Sequence, residues 1–314
     1  MIEGIDSITY STDGTAENWA ASKKFFLDWG LVLLSESDGE LIFETLNGSR
    51  VLVLAPDHKA LLGTIPMESG ATLREVVWGV TSQATLNKLS EGGILERLDP
   101  HGLRVRFQLS QKRTVNLQGS PSNAWGDVRR VDAPSPVYER AVPIEIGHVV
   151  LFTDCLADAV AFYERLGFTV SDQYPNRGVF LRCSKTGGHH DVFLLQVPNK
   201  PKGVNHVAFT VRDIHEVFGG GLAMSRAGWK TQLGPGRHPI SSAYFWYFEC
   251  PVGGLIEYNA DEDHLTPAWQ PREFEPSPTR FAEWAIDGGL DGHTRRQPNA
   301  LAGGKFLTEK RDSK

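Results

Sequence analysis

The chain has 314 residues, 40% hydrophobic and 22% charged, with a formal net charge of -6. That composition suits a soluble globular protein with length for two domains, and it lacks the basic excess of a nucleic-acid-binding protein. Cys155, Cys183 and Cys250 are isolated, giving neither a disulfide framework nor a zinc cluster, and no apolar run approaches the about 20 residues of a membrane span. The N-terminus, MIEGIDSITYS, has no basic segment followed by an apolar one. A cytoplasmic protein with a small-molecule partner, and with no nucleic acid or membrane, is expected.

In chain order, residues 5 to 34 read as strand, helix, strand: IDSITYS, then ENWAASKKFFLDWG ending on Gly30, then LVLL. A second unit starts at EVVWGVTS (75 to 82) and ends through the turn and strand PHGLRVRFQL. The stretch from 119 to 143 is polar and Pro-rich and marks a domain boundary. Residues 143 to 171 repeat the opening pattern, with Phe162-Tyr163 and Gly167 matching Phe25-Phe26 and Gly30. A fourth unit starts at NHVAFTVRD (205 to 213) and ends through PVGGLIEYNA.

Four units of strand, helix and about three strands thus tile the chain as an internal duplication. The expected fold is α+β, with two domains, each a pair of βαβββ modules forming a partly open barrel. The boundaries fall at 1–125, a linker at 126–142, a second domain at 143–262, and an extension at 263–314. Within that extension FAEWAIDGG (281 to 289) is a short helical candidate, and the last dozen residues are expected to be loosely held. The run FGGG (218 to 221) lacks the Lys-Ser/Thr of a phosphate loop and reads as a connector.

Overlaying the units places His148 and His206 on the first strands of units three and four, and Glu257 on the last strand of unit four. The matching N-terminal positions are Ser7, Glu75 and Arg106, where a guanidinium opposite a carboxylate suggests an ion pair in place of a metal site. A lone strand histidine is more often structural than a ligand. Three ligand types at repeat-equivalent positions favour a metal site instead. Two imidazoles and one carboxylate hold Fe(II) on one face and leave about three positions open. His58, His101, His215, His264 and His293 read as solvated surface histidines.

The stretch GRHPISSAYFWYFECPVGGLIEY (236 to 258) carries a His, a Tyr, a Pro-x-Gly turn and a Glu at His238, Tyr247, Pro251, Gly253 and Glu257. In this it resembles the C-terminal signature of the type I extradiol dioxygenases, catechol ring-cleaving enzymes of the vicinal oxygen chelate superfamily. The segment HHDVFLL (189 to 195) is similar to the one that carries that family's second-sphere histidine, which best matches His190, with His189 as the competitor. The resemblance covers residues 5 to about 262.

The resemblance implies metal ligation by His148, His206 and Glu257, acid/base work by His190, and substrate contacts from His238 and Tyr247. It also implies Fe(II), with Mn(II) as the other metal suited to these donors, and a catecholic substrate cleaved with O2 to a ring-opened product. Assembly as a homo-oligomer is expected. Strand alternation puts Leu194 at the repeat equivalent of Glu257, on the face of His190 and Val192, with Asp191 opposite. Glyoxalase-like and epimerase-like relatives place a further carboxylate on that strand. A non-redox divalent-metal isomerase or epimerase and a metal-free small-molecule resistance protein are the alternatives.

Overall fold

The computed structural model describes residues 1–276 and 281–287. The first half begins with β1 (Ile2–Ser11), α1 (Ala16–Trp29), β2 (Val32–Ser37), β3 (Glu40–Glu44) and β4 (Arg50–Leu54). It continues with β5 (Thr72–Val80), α2 (Gln83–Glu91), β6 (Glu96–Leu98) and β7 (Arg104–Leu109). Only two strands follow α2, so the second unit is βαββ rather than the expected βαβββ; the second half otherwise follows the same order, with β8 (Glu145–Phe152), α3 (Leu156–Arg165), β9 (Thr169–Tyr174), β10 (Gly178–Arg182) and β11 (Val192–Leu195). Next come β12 (Gly203–Thr210), α4 (Ile214–Arg226), β13 (Thr231–Arg237), β14 (Tyr244–Glu249) and β15 (Leu255–Ala260).

The strands form two mixed sheets, ordered β2-β3-β4-β1-β5-β7-β6 and β9-β10-β11-β8-β12-β15-β14-β13, and neither closes. The extension adds a strand at each end of the second sheet: β16 (Arg272–Glu273) runs parallel to β9, and β17 (Trp284–Asp287) antiparallel to β13. The expected helix at 281 to 289 is therefore corrected to a strand over Trp284–Asp287. The exposed edge of β13 offered more hydrogen bonds than a short isolated helix can make. The last dozen residues lie outside the described region.

Local chemistry sets the helix ends. Thr15 caps α1 by accepting from the Asn18 amide, and Gly30, at φ 100, supplies the left-handed residue that stops it. Asp213 caps α4 through the amides of His215 and Glu216. The FGGG run is not a connector but the interior of α4. A Cβ on Gly220 would meet the Tyr258 ring at 2.7 Å, and one on Gly221 would meet Trp246 at 2.0 Å. Close approach of two large rings, from β14 and β15, outweighs the poor helix propensity of glycine.

The apolar core is continuous between the halves. Trp29 of α1 stacks on Tyr258 of the second sheet with centroids 3.5 Å apart, and Trp78 of the first sheet meets Phe168 of the second half at 4.9 Å. This junction also corrects His101. It is fully buried rather than solvated, with Nδ1 3.0 Å from the Asp99 carboxylate, because its turn packs against Tyr163 and Lys202 of the other half. His264 is exposed, His58 and His215 are half-buried, and His293 lies outside the described residues.

Candidate metal centre

β8, β12 and β15 are adjacent in the middle of the second sheet, and each delivers one side chain to the same face. His148 pairs with Ala208 across β8 and β12, and Ala208 pairs with Glu257 across β12 and β15. His206 lies two residues before Ala208 and so shares its face. The small Ala208 between them lets the side chains of His148 and Glu257 close over it.

The three donor atoms meet in an almost equilateral triangle. Nε2 of His148 is 3.2 Å from Nε2 of His206, and each is 3.1 Å from Oε2 of Glu257. Donors about 2.1 Å from a divalent ion in adjacent octahedral positions stand about 3.0 Å apart, so the triangle fits one face of such a sphere.

Proton placement makes the same demand. Nδ1 of His206 lies 2.5 Å from the Asn205 side-chain oxygen, which accepts its proton and leaves Nε2 with a bare lone pair. Oε2 of Glu257 is buried with no hydrogen-bond donor. Lone pairs of His206 and Glu257 turned toward one buried point suit a cation.

The titration tendency agrees. Burial pushes His206 down, against the pull of Glu257, and keeps the ring neutral for ligation.

The other predicted residues surround this triangle. Nδ1 of His238 is 2.7 Å from the carbonyl oxygen of Phe281, which can only accept, so Nδ1 carries the proton. Nε2 of His238 is then bare and receives the Tyr247 hydroxyl at 3.0 Å. Burial lowers His238 to about 4, and burial followed by the Glu257 charge pushes Tyr247 well above 10. At neutral pH the pair is an imidazole and a phenol, with the phenolic oxygen free to accept from a ligand.

His190 stands on the other side, its ring 4.0 Å from that of His148. Its Nδ1 is 3.0 Å from Oε1 of Glu262 and 3.2 Å from Nδ1 of His189, so a proton there has two acceptors. Burial, then the charges of His148 and His189, lowers its pKa well below 6.5. His189 turns away from the cavity to Asp172, at 2.8 Å, and Asp172 is also held by Arg272. His190, not His189, lines the site.

The position of Leu194 is corrected. In the sheet register Leu194 pairs with Leu151 and is buried in the main apolar core with Val192, whereas Phe193 lines the cavity. The chain is irregular between His190 and Val192, where β11 begins, and simple alternation fails there. The residue facing the triangle from β11 is therefore Phe193, and it is still apolar. Asp191 turns away as expected and accepts from the Cys183 amide at 2.7 Å.

In the first sheet Ser7 pairs with Val77, and Val77 with Arg106, the register of His148, Ala208 and Glu257. Glu75 there forms ion pairs with Arg104 and, at 3.2 Å, with Arg106.

A cavity of about 50 Å³ covers the triangle. Besides His148, His190 and His206 it is lined by the polar Asn205, Ser241, His238, Tyr247 and Asn259 and by Val150, Tyr174, Phe180, Phe193, Leu195, Ile240 and Phe281. Sequence reasoning missed Asn205, Asn259, Glu262 and Phe281. Asn259 was accessible by alternation, two residues after Glu257, whereas Phe281 comes from the extension and gave no local signal.

The family model described as the Glyoxalase/Bleomycin resistance protein/Dioxygenase superfamily matches residues 145–258, the stretch that holds all three triangle residues. Residues 145–258 form a domain of this superfamily. The chain is 31% identical over 198 residues to metapyrocatechase 2 of Cupriavidus necator, a match covering 60% of this chain and 59% of that one. It thus spans less than two thirds of the length of the curated relatives it matches.

Among solved structures, the Mn(II)-bound glyoxalase from Novosphingobium aromaticivorans superposes with a TM-score of 0.67 at 22% identity, covering 96% of both chains. The homoprotocatechuate 2,3-dioxygenase from Arthrobacter globiformis gives 0.67 at 18%, covering 95% of both. At these identities the likeness is one of fold, and the superfamily domain sits within a two-sheet architecture common to all three.

Proposed function

We propose that this protein is an extradiol dioxygenase that opens the ring of a catecholic substrate with O2, using Fe(II) held by His148, His206 and Glu257. The observation that carries this reading is the triangle of three lone-pair donors beneath a cavity whose facing position on β11 is Phe193. A fourth protein ligand, as in the glyoxalase-like and epimerase-like relatives, has no donor there. The metal, when bound, supplies Lewis acidity toward two vicinal hydroxyls and a redox centre for O2. Mn(II) suits the same donors.

The surrounding side chains bind the substrate and move protons. Tyr247, whose own proton points to His238, accepts from a substrate hydroxyl through its phenolic oxygen, and His238 Nε2 is placed to take the proton onward. His190, neutral at pH 7 and held by Glu262, acts as acid and base on the opposite flank. Phe180 and Phe193, stacked at 3.8 Å, keep water from the ring face.

The metapyrocatechase relative supports the same reaction class. Anaerobic reconstitution with Fe(II), followed by O2 uptake and a yellow ring-opened product on adding catechols, is the test. No uptake across monocyclic and bicyclic catechols would sink the proposal.

A further inference from the structure

The cavity over the triangle does not end at one ring. Tyr174, Phe193, Leu195 and Phe281 also line a second, outer groove of about 520 Å³. These four side chains face both spaces. Beyond the shared wall the groove passes Val197, Pro198 and Pro276, and Arg177 is its one charged lining residue among those described.

Charge is absent where it would matter most for a substituted ring. Among the described residues no lysine or arginine lines the inner cavity. A carboxylate carried on a short side chain would be buried there without a cationic partner, whereas a hydrocarbon arm meets a wall that is aromatic and aliphatic apart from Gln196 and Arg177 of the outer groove. Val197 is 37% exposed, so the outer groove gains cover when an arm lies on it.

We infer that the substrate is a catechol bearing an uncharged apolar arm, an alkyl chain or second ring, that runs over Leu195 and Phe281 into the outer groove. This rests on the dioxygenase reading for the catechol head and goes beyond it for the arm.

The test is anaerobic calorimetry of the Fe(II)-loaded protein with four probes: catechol, butylcatechol, phenylcatechol, and dihydroxyphenylpropionate, the substituted ones in 3- and 4-linked forms. The better-placed isomers of the butyl and phenyl probes should bind at least about tenfold tighter than catechol. The propionate should bind no tighter than catechol.

V197D, which puts a charge in the outer groove only, should shrink the butylcatechol-to-catechol ratio at least about threefold. Equal binding of catechol and both apolar probes, tighter binding of the propionate, or an unchanged ratio in a folded V197D would each overturn the arm. Tight apolar binding without O2 uptake would uphold the arm and remove the dioxygenase reading. Uptake with catechol but no gain from an arm would do the reverse, and no binding by any probe overturns both.

Discussion

Oε1 of Glu262 lies 3.0 Å from Nδ1 of His190, and 72 residues separate the two in sequence. Asp261, at φ 64, turns the chain after β15 and brings Glu262 back against the cavity wall. Burial, reinforced by Asp191, pushes the Glu262 carboxyl well above the usual range, so its value to His190 is as an acceptor that fixes the ring rather than as a full charge. E262Q keeps that acceptor and should stay within about threefold of the parent kcat, whereas E262L should lose about 10–100-fold with metal content unchanged. Steady-state kinetics, with 15N NMR of the His190 tautomer, checks both. Equal losses in E262Q and E262L would point to a charge role instead.

Metal removal should cost stability as well as activity. The triangle of His148, His206 and Glu257 presents converging lone pairs without a bound cation, so chelation should lower Tm and added Fe(II) or Mn(II) should restore it. N205L, which removes the acceptor for His206 Nδ1, should weaken metal binding about 10–100-fold while the fold persists. Metal titration followed by scanning calorimetry reads both effects.

The first sheet should behave oppositely. E75Q leaves Arg104 and Arg106 without their carboxylate and should destabilise the protein by about 3 kcal/mol. Bound metal per chain should not change. Urea unfolding and metal analysis of the same preparation separate the two outcomes.

Acid should act through Asp172. Burial works to raise this carboxyl, but His189 and Arg272 outweigh it and hold it below its ordinary 3.8. The unfolded chain therefore takes up a proton more readily than the native one, so this stabilisation is present above about pH 4 and is lost as pH falls toward the lower native value. D172N should be less stable at pH 7 and show a flatter stability profile below about pH 4. Chemical denaturation across pH 2.5 to 7 tests the slope, and parallel profiles would remove Asp172 as its source.

The triad was legible because a duplicated strand pattern repeats its register, and residues at one register of neighbouring strands share a face. The ion pair between Glu75 and Arg106 followed from the same overlay. Leu194 was misplaced because alternation was carried across the irregular residues before β11, where a single step exchanges the two faces. His101 was misread because a turn looks exposed in sequence until the other half of the molecule covers it.

By itself the sequence determined the α+β class, the four repeated units and the three donors, since these depend on strand periodicity and residue chemistry over short spans. Only the tertiary structure decided that Phe193 lines the cavity over the triangle, that Glu262 and His189 flank His190, and that Phe281 and Pro276 of the extension line the cavity or its neighbouring groove. Those contacts join residues far apart in the chain. Their partners are chosen by packing between elements, a property that no local pattern encodes.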